Sequence, residues 1–582
     1  MENIVKVKVT IDGQEIIVPK GTTVLEAAKM IGIKIPTLCY LKNYNVISSC
    51  RVCVVEVEGI KVPVPSCSMR INNDGMKIRT NTEAVLNMRK MNLNKILKDH
   101  NKNCLSCKRN TNCALQCLAS EMKAQDDIFS ENSKRTYFDD SNPYIVRDDS
   151  KCILCNRCNG VCTQMQTVNA ICKKMPFNNQ MGTPADKPLK DTFCVGCGQC
   201  TLVCPVAALT EKSNVDEVLD AIKNPDLITV VAPAPSVRVA IAEEFGGKVG
   251  EFVQGQLVTS LKMLGFDHVF DIDMGADLTI MEEAAEFVDR LTNGGLLPMF
   301  TSCCPGWTEY LTAFYPDFIP NLSSTKSPQQ IFGAALKTYW AKKNNIDPKK
   351  IFFVTVMPCI AKKGEILRGK NAVEGVKDVD ASITVREYAK LLKSKGIDLP
   401  KLKESEFDKV MGDSSGAAVI FGATGGVMEA ALRTVADTFE GKSMDKIDYN
   451  AVRGTQGIKE ATINVAGKTV NVCVASGLKN AQTVLESIKT GAKKYDFVEI
   501  MACPGGCVNG GGMPIHDPNE ISFEERAKLR AKSLYTDDER KTIRKSHLNP
   551  DIIALYKDYY EKPNSHLAHE NLHTVFKKRE IK

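Results

Sequence analysis

Residues 300–307 read FTSCCPGW, so Cys303 and Cys304 are adjacent thiols in a chain of 582 residues that holds 23 cysteines. Thiolates are soft ligands for iron and zinc, and an unligated thiol can carry a proton. Neighbouring side chains seldom reach one metal atom, so the pair raises the question of what the second thiol is for. Most other cysteines fall in tight triplets and quartets separated by cysteine-free stretches. The first residues, MENIVKVKVTIDGQEI, contain no apolar signal core and no twin arginine, so a cytoplasmic location is expected. Cytoplasmic thiols are not normally held as disulfides, and the clusters therefore point to metal or iron–sulfur ligation.

Cys39, Cys50, Cys53 and Cys67 are spaced C-x10-C-x2-C-x13-C. Four thiolates suit a [2Fe–2S] rhombus, two to each iron, although the first gap exceeds that of plant-type ferredoxins; a zinc site is the alternative. HNKNCLSCKRNTNC then offers His100, Cys104, Cys107 and Cys113, with Cys117 as a spare thiol. One imidazole and three thiolates fit structural zinc or a [4Fe–4S] cube with a neutral fourth ligand. The groups on either side favour the cube. Residues 152–162 (CILCNRCNGVC) and 194–205 (CVGCGQCTLVCP) repeat C-x2-C-x2-C-x3-C, the second run followed by Pro205. This is the spacing of two-cubane ferredoxins, in which the fourth cysteine of each run ligates the other run's cluster. One cube is expected on Cys152, Cys155, Cys158 and Cys204, the other on Cys194, Cys197, Cys200 and Cys162. Two adjacent cubes make a conduit for electrons.

The elements that hold these groups follow from periodicity. VKVTIDGQEIIV alternates apolar and polar residues about Asp12-Gly13, which predicts a β-hairpin. Thr23-Val-Leu-Glu26 reads as a helix capping box, with Val24, Ala28 and Ile31 on one face. Hairpin, helix and cysteine loop in that order resemble a β-grasp ferredoxin domain. Residues 86–99 read as helical. From about residue 215, apolar β-like runs at 227–233, 352–358 and 417–421 alternate with helical segments, the pattern of α/β domains. FGATGGVMEAAL (421–432) reads as a strand, a glycine loop and a helix, by itself a weak sign of an anion or cofactor at that helix start. No run of eighteen apolar residues spans a membrane, and no G-x-G-x-x-G or Walker A motif marks a nucleotide. The formal charge of +7, in a chain 43% hydrophobic, reads as solubility rather than as a nucleic-acid surface, and it is compatible with an acidic protein partner. His547, His566, His569 and His573 sit in the charged tail without tight spacing and read as solvent-facing.

FTSCCPGW at 300–307, VMPCIAKKGE at 356–365 and IMACPGGCVNGGGMP at 500–514 resemble the three signature segments of [FeFe]-hydrogenases. The whole chain is similar to the large monomeric clostridial type. The resemblance implies a multidomain α+β and α/β fold: a β-grasp [2Fe–2S] domain over 1–83, a small [4Fe–4S] domain with one histidine and three cysteine ligands over 84–140, a two-[4Fe–4S] ferredoxin-like domain over 141–214, and a large α/β catalytic domain over 215–582. It also implies that Cys304, Cys359, Cys503 and Cys507 hold a further [4Fe–4S] cube. Cys507 would bridge to a two-iron subsite carrying CO, cyanide and an azadithiolate, the whole being the H-cluster. Ala234, Pro235, Ser236, Gln329, Met357, Lys362, Phe421 and Met501 match the family's cofactor shell, with Lys362 a charged donor to a cyanide nitrogen; taken alone, Met357 and Met501 read equally well as core packing. The glycines at 505, 506 and 510–512 would permit close backbone approach. These assignments use 19 of the 23 cysteines. Cys117, Cys172 and Cys473 then read as buried small hydrophobes, and Cys303 is left unligated.

Hydrogen evolution also needs protons. In the helix DLTIMEEAAEFVDRL (277–291) the apolar stripe is Ile280, Ala284, Phe287, Val288 and Leu291. At about 100° per residue, Glu282 and Asp289 fall opposite that stripe and are expected to face water, while Glu283, Glu286 and Arg290 share its flank. On periodicity alone Glu286 and Arg290 are an ordinary i,i+4 surface pair. The resemblance implies instead a proton path of Cys303, Glu283, Ser323 and Glu286, with Arg290 at its outer end and Cys303 as general acid/base. The implied activity is that of a ferredoxin hydrogenase, reversibly reducing protons to H2. Its implied partners are reduced ferredoxin or flavodoxin and the maturation proteins that supply the two-iron subsite, and it is expected to be a monomer. Two other classes stand beside this one: a catalytic subunit of an NADH-linked bifurcating complex, and a non-catalytic iron–sulfur assembly protein. The latter lack Cys303 and the intact MPC and GGG segments.

Overall fold

The computed structural model describes residues 5–125, 135–173, 181–409, 411–443, 448–465 and 468–580. Strands Lys6–Ile11 and Gln14–Pro19 pair antiparallel through a turn in which Asp12 and Gly13 both have positive φ, the conformation that favours Asp-Gly in tight hairpins. The first strand also pairs in parallel with Met76–Arg79, and Val54–Val57 and Val64–Pro65 complete a five-stranded mixed sheet. Helix Val24–Met30 packs Val24, Ala27 and Ala28 against Val7, Val9 and Ile11. Its Thr23 hydroxyl accepts from the Glu26 amide as expected of the N-cap. The Glu26 carboxylate turns instead to Tyr40 and Lys42.

Helix Glu83–Lys98 leads into the loop of His100 and its neighbouring cysteines. The paired cysteine runs follow, each opening a short helix, Arg157–Gly160 and Gln199–Val203, beside a three-stranded sheet built on Ile145–Asp148.

Beyond residue 215 the chain forms two four-stranded sheets. In the first, His268–Val269, Ile228–Pro233, Ile351–Met357 and Ala381–Thr384 are all parallel. In the second, Met299–Phe300, Phe497–Met501 and Lys468–Ser476 are parallel, and Ile458–Val465 closes the edge antiparallel. Each sheet has its own apolar core. The runs at 227–233 and 352–358 are strands, as their apolar content predicts. The run at 417–421 is not: Gly416–Val419 is helical and continues into a tight helical turn, Ile420–Gly422. Ser415 caps this segment by accepting from the Ala418 amide, and the segment is buried on every side. A short apolar run buried all round has no periodicity to separate helix from strand. The glycines at 425 and 426 then open helix Gly426–Glu440, the helix expected there. Among the described residues, no helix is long and apolar enough to cross a membrane.

Candidate active site and electron path

Four loops converge on an internal cavity of about 80 Å³, and each leaves the carboxyl end of a parallel strand, where open α/β sheets place their ligand crevices. Ala234, Pro235 and Ser236 follow Ile228–Pro233, and Cys303 and Cys304 follow Met299–Phe300. Cys359 and Lys362 follow Ile351–Met357, while Cys503 and Cys507 follow Phe497–Met501. Met357 and Met501, the last residues of their strands, complete the wall with Gln329 and Phe421. Every cofactor-shell candidate from the sequence therefore lines one cavity with Cys303 and the four candidate cube ligands. Ile272, Ala276, Pro305 and Pro328 also line it; apolar and proline residues carry no chemical signal that sequence reading could use.

The donors in this cavity suit an iron–sulfur cube. Five thiols line it, the four candidate ligands and Cys303, with no carboxylate among the described lining residues, and the Ala502 amide points at Cys304 Sγ from 3.3 Å. The backbone is pressed close: a Cβ on Gly506, whose φ is +99°, would lie 2.6 Å from the Thr424 nitrogen, and one on Gly510 would lie 2.2 Å from the Pro358 carbonyl. Only glycine fits at these two positions. Lys362 donates to Glu365 Oε2 at 2.8 Å and to the Cys303 carbonyl at 3.1 Å. Burial alone would depress its ammonium, but Glu365, then the Cys359 and Cys303 thiols, hold its pKa above the usual range. It is a fixed positive donor at the cavity wall. Glu365 also accepts from Gln329 at 2.7 Å and Ser327 at 2.8 Å. Sequence reading passed over Glu365, although its position three residues after Lys362 on one helical turn was a usable signal.

The cysteines of the paired runs and of the first group lie together. Cys152, Cys155, Cys158 and Cys204 line one small cavity, three thiols from the first run and the fourth from the second. Cys162 lies instead with Cys194, Cys197 and Cys200. The thiols of Cys39 and Cys50 face each other, as do those of Cys53 and Cys67, two pairs of the kind a [2Fe–2S] rhombus takes. At His100 the ring faces the Lys151 backbone while Nδ1 is buried without a partner, and burial depresses its basicity. A neutral imidazole with a free nitrogen suits ligation. Cys113 Sγ reaches the Pro205 carbonyl at 3.7 Å, beside Cys204.

The groups also abut one another. A Cβ on Gly511 would lie 2.4 Å from the Cys197 carbonyl, so the second cysteine run touches the glycine segment at 510–512 directly. Gln199 donates to the Asn509 carbonyl and Gln166 to the Ala502 carbonyl, both at 2.9 Å. Of the leftover thiols Cys473 is fully buried, but Cys172 is half-buried and Cys117 is exposed. The expectation that Cys117 is a buried hydrophobe is overturned: it lies on the outer face of helix Ala114–Glu121, whose buried residues are Leu115 and Leu118.

Helix Asp273–Thr292 places its acids differently from its periodicity. Asp289 is exposed as expected, but Glu282 is fully buried. The polar side of the helix is covered by the C-terminal segment: Tyr556 donates to Glu282, the Asn564 amide does so at 2.8 Å, and His573 Nε2 lies 3.0 Å away. His573 is correspondingly buried rather than solvent-facing, and His547 is mostly covered beside Asp437, whereas His566 and His569 are exposed. Glu283 is wholly buried with neither oxygen in a well-formed hydrogen bond. Burial, and then the charge of Glu286, push its carboxyl up to about 8; the nearby Ser302 amide and Ser323 hydroxyl offset this only in part. Burial, then Glu283, push the Cys303 thiol well up as well. Ser323 donates to Glu286 at 2.9 Å, and Arg290 holds the other Glu286 oxygen at 2.6 Å near the surface.

Four thiol groups leading to a sulfur-lined cavity define a multicluster iron–sulfur redox protein. Residues 227–511 match the model described as iron only hydrogenase large subunit, C-terminal domain, and 524–579 match the iron hydrogenase small subunit. Residues 5–83 match a 2Fe-2S iron-sulfur cluster binding domain, 89–127 the NADH-ubiquinone oxidoreductase-G iron-sulfur binding region, and 191–210 a 4Fe-4S binding domain. The chain is 44% identical to Iron hydrogenase 1 of Clostridium pasteurianum, over 98% of this chain and all of that one. It is also 44% identical to the NADP-reducing hydrogenase subunit HndD of Solidesulfovibrio fructosivorans, over 98% of this chain and 99% of HndD. A solved variant of [FeFe]-hydrogenase HydA1 from Chlamydomonas reinhardtii superposes with a TM-score of 0.57 at 41% identity, covering 63% of this chain and 99% of that one. The chain belongs to the iron-only, or [FeFe], hydrogenase family.

Proposed function

We propose that this hydrogenase reversibly reduces protons to H2 with reduced ferredoxin as donor. Electrons would enter at the accessory clusters and pass through the paired cubes to the cavity. The observation that carries the reading is the cavity itself, where four thiols suited to a cube and one further thiol, Cys303, meet a buried acid relay. Cys304, Cys359, Cys503 and Cys507 would hold the cube, with Cys507 shared by the two-iron subsite. His100 with Cys104, Cys107 and Cys113 would hold a second kind of cube, and Cys39, Cys50, Cys53 and Cys67 the [2Fe–2S] cluster. The two-iron subsite, when bound, supplies an electron-rich iron with CO and cyanide ligands and a basic bridging amine.

The chain's own side chains then handle the proton. Cys303 holds one at Sγ facing the cavity, and Glu283, kept largely neutral near pH 7 by burial, exchanges it as a weak acid rather than a fixed anion. Ser323, near Glu283 and donating to Glu286, would link the two, and Arg290 steadies Glu286 at the solvent end. Lys362 would offer its ammonium to a cyanide nitrogen of the bound group, while Met357, Met501 and Phe421 would keep water out.

Infrared spectroscopy of anaerobically matured protein tests this reading: CO and cyanide bands are expected, and their absence after maturation would favour an assembly role. The likeness to HndD supports a second reading, that of a hydrogenase subunit in an NADP-linked complex. No nicotinamide or flavin motif occurs in this chain, so that chemistry would sit on a partner. Ferredoxin-driven H2 evolution by the purified chain alone separates the two.

A further inference from the structure

The segment that matches the family's small subunit is covalently part of this chain, and it reaches the acid relay. Residues 571–574 run beside 324–326: the Thr574 amide donates to the Ser324 carbonyl at 2.7 Å, and the Lys326 amide donates to the Leu572 carbonyl at 2.9 Å. Between these contacts His573 touches Glu282 directly and reaches Glu286 through Ser324, two acids four residues apart on one helix. Its Nε2 lies 3.0 Å from Glu282, and its Nδ1 lies 2.8 Å from Ser324 Oγ. Ser324 in turn contacts Glu286 Oε2 twice, through its amide at 3.1 Å and its hydroxyl at 3.4 Å.

We propose that His573 is a positioning residue for proton transfer: clamped by Glu282, it sets the direction of the Ser324 hydroxyl and through it the proton affinity of Glu286. This rests on the hydrogenase reading, in which Glu286 is the outer proton carrier.

The hydrogen count gives the device two states. Glu282 already accepts from Tyr556 and Asn564, so it acts on His573 as an acceptor and Nε2 carries a hydrogen. In neutral His573 the other nitrogen is bare, and the Ser324 hydrogen turns toward it. In protonated His573 Nδ1 donates to Ser324, whose own hydrogen is released toward Glu286. A cation nearby and one more donor both favour the Glu286 carboxylate. Protonated His573 therefore makes Glu286 the stronger acid, and neutral His573 makes it the weaker one. The charged and titratable groups around the imidazole and Glu286 include Glu282 and Glu286 from the acidic helix, Arg290 of the same helix holding the other Glu286 oxygen at 2.6 Å, Tyr556 behind Glu282, and His569 one helical turn earlier with ring centroids 4.1 Å apart. Lys326 lies two residues beyond Ser324 and is locked to Asp378 at 2.7 Å.

The test uses the full-length chain with His573→Gln and His573→Ala. In unmatured protein the Glu286 carboxyl band, assigned by its loss in Glu286→Gln, is titrated by infrared difference spectroscopy. Its midpoint is expected to move up in both variants, because neither side chain can become a cation. In matured protein, Ala is expected to lower H2 evolution about three- to tenfold, the scale of one lost positioning hydrogen bond. Gln, which can still donate to Glu282 and accept from Ser324, is expected to restore the rate at alkaline pH but not on the acid side. A Glu286 midpoint unchanged in both variants, or pH–rate profiles superimposable on the parent's, would overturn the proposal. If the parent evolves no H2, the hydrogenase reading fails, and the carboxyl titration still decides whether His573 governs Glu286.

Discussion

Replacing Glu283 by Gln keeps the shape of a fully buried side chain and removes its titration. In the folded protein burial carries this carboxyl from 4.5 to about 8. The unfolded chain ionises near 4.5, so between these two values the unfolded state holds fewer protons than the folded one. Stability therefore falls as pH rises through this window, the reverse of a carboxylate whose folded-state pKa is lowered by a salt bridge. At about 1.4 kcal/mol for each tenfold change in proton affinity, the parent loses on the order of 5 kcal/mol by pH 8. The Gln variant does not incur this loss. Anaerobic denaturant unfolding of both proteins from pH 4.5 to 8.5 should show the variant gaining on the parent as pH rises, with the difference levelling off above pH 8. Turnover should move the other way, falling about a hundredfold or more, because an amide cannot relay a proton. Parallel stability–pH curves would refute the buried-acid argument, whatever happens to activity.

Four further outcomes are expected. Cys303→Ala should leave the iron content and the CO and cyanide bands in place while H2 evolution falls about a hundredfold or more, the scale of a lost general acid; full turnover would remove Cys303 from the relay. Gly506→Ala puts a Cβ 2.6 Å from the Thr424 nitrogen at a φ of +99°; a cost of about 1–3 kcal/mol, read as a lower thermal midpoint, should accompany loss of cavity iron. Cys113→Ser should lose one cube's iron and its paramagnetic signal, whereas Cys117→Ser, at an exposed thiol, should lose neither. The ferredoxin-driven rate should drop steeply with salt while a dye-driven rate does not, since only the docking of an acidic protein is screened; equal salt dependence would argue against electrostatic docking.

The covalent order of thiols was legible because ligand spacing is local: C-x2-C-x2-C-x3-C and the glycines at 505 and 506 constrain a few consecutive residues. Strands at 227–233 and 352–358 were legible for the same reason, as was the turn at Asp12-Gly13. The segment at 417–421 was not, because complete burial erases the contrast between faces on which periodicity depends. Glu282 shows the deeper limit. Its helical position marks it as opposite the apolar stripe, and that much is right, yet it is covered by Tyr556, Asn564 and His573, nearly three hundred residues along the chain. Convergence of the four strand-end loops on one cavity, the elevation of Glu283 by burial, and the bridge from His573 to Glu286 are likewise products of packing between distant segments. Sequence by itself determined which thiols are spaced as iron–sulfur ligands and in what groups. Tertiary structure decided which thiols meet, which acids lose their water, and hence which group can hold a proton beside the sulfur-lined cavity, because solvation and proximity belong to the packed chain and not to its local order.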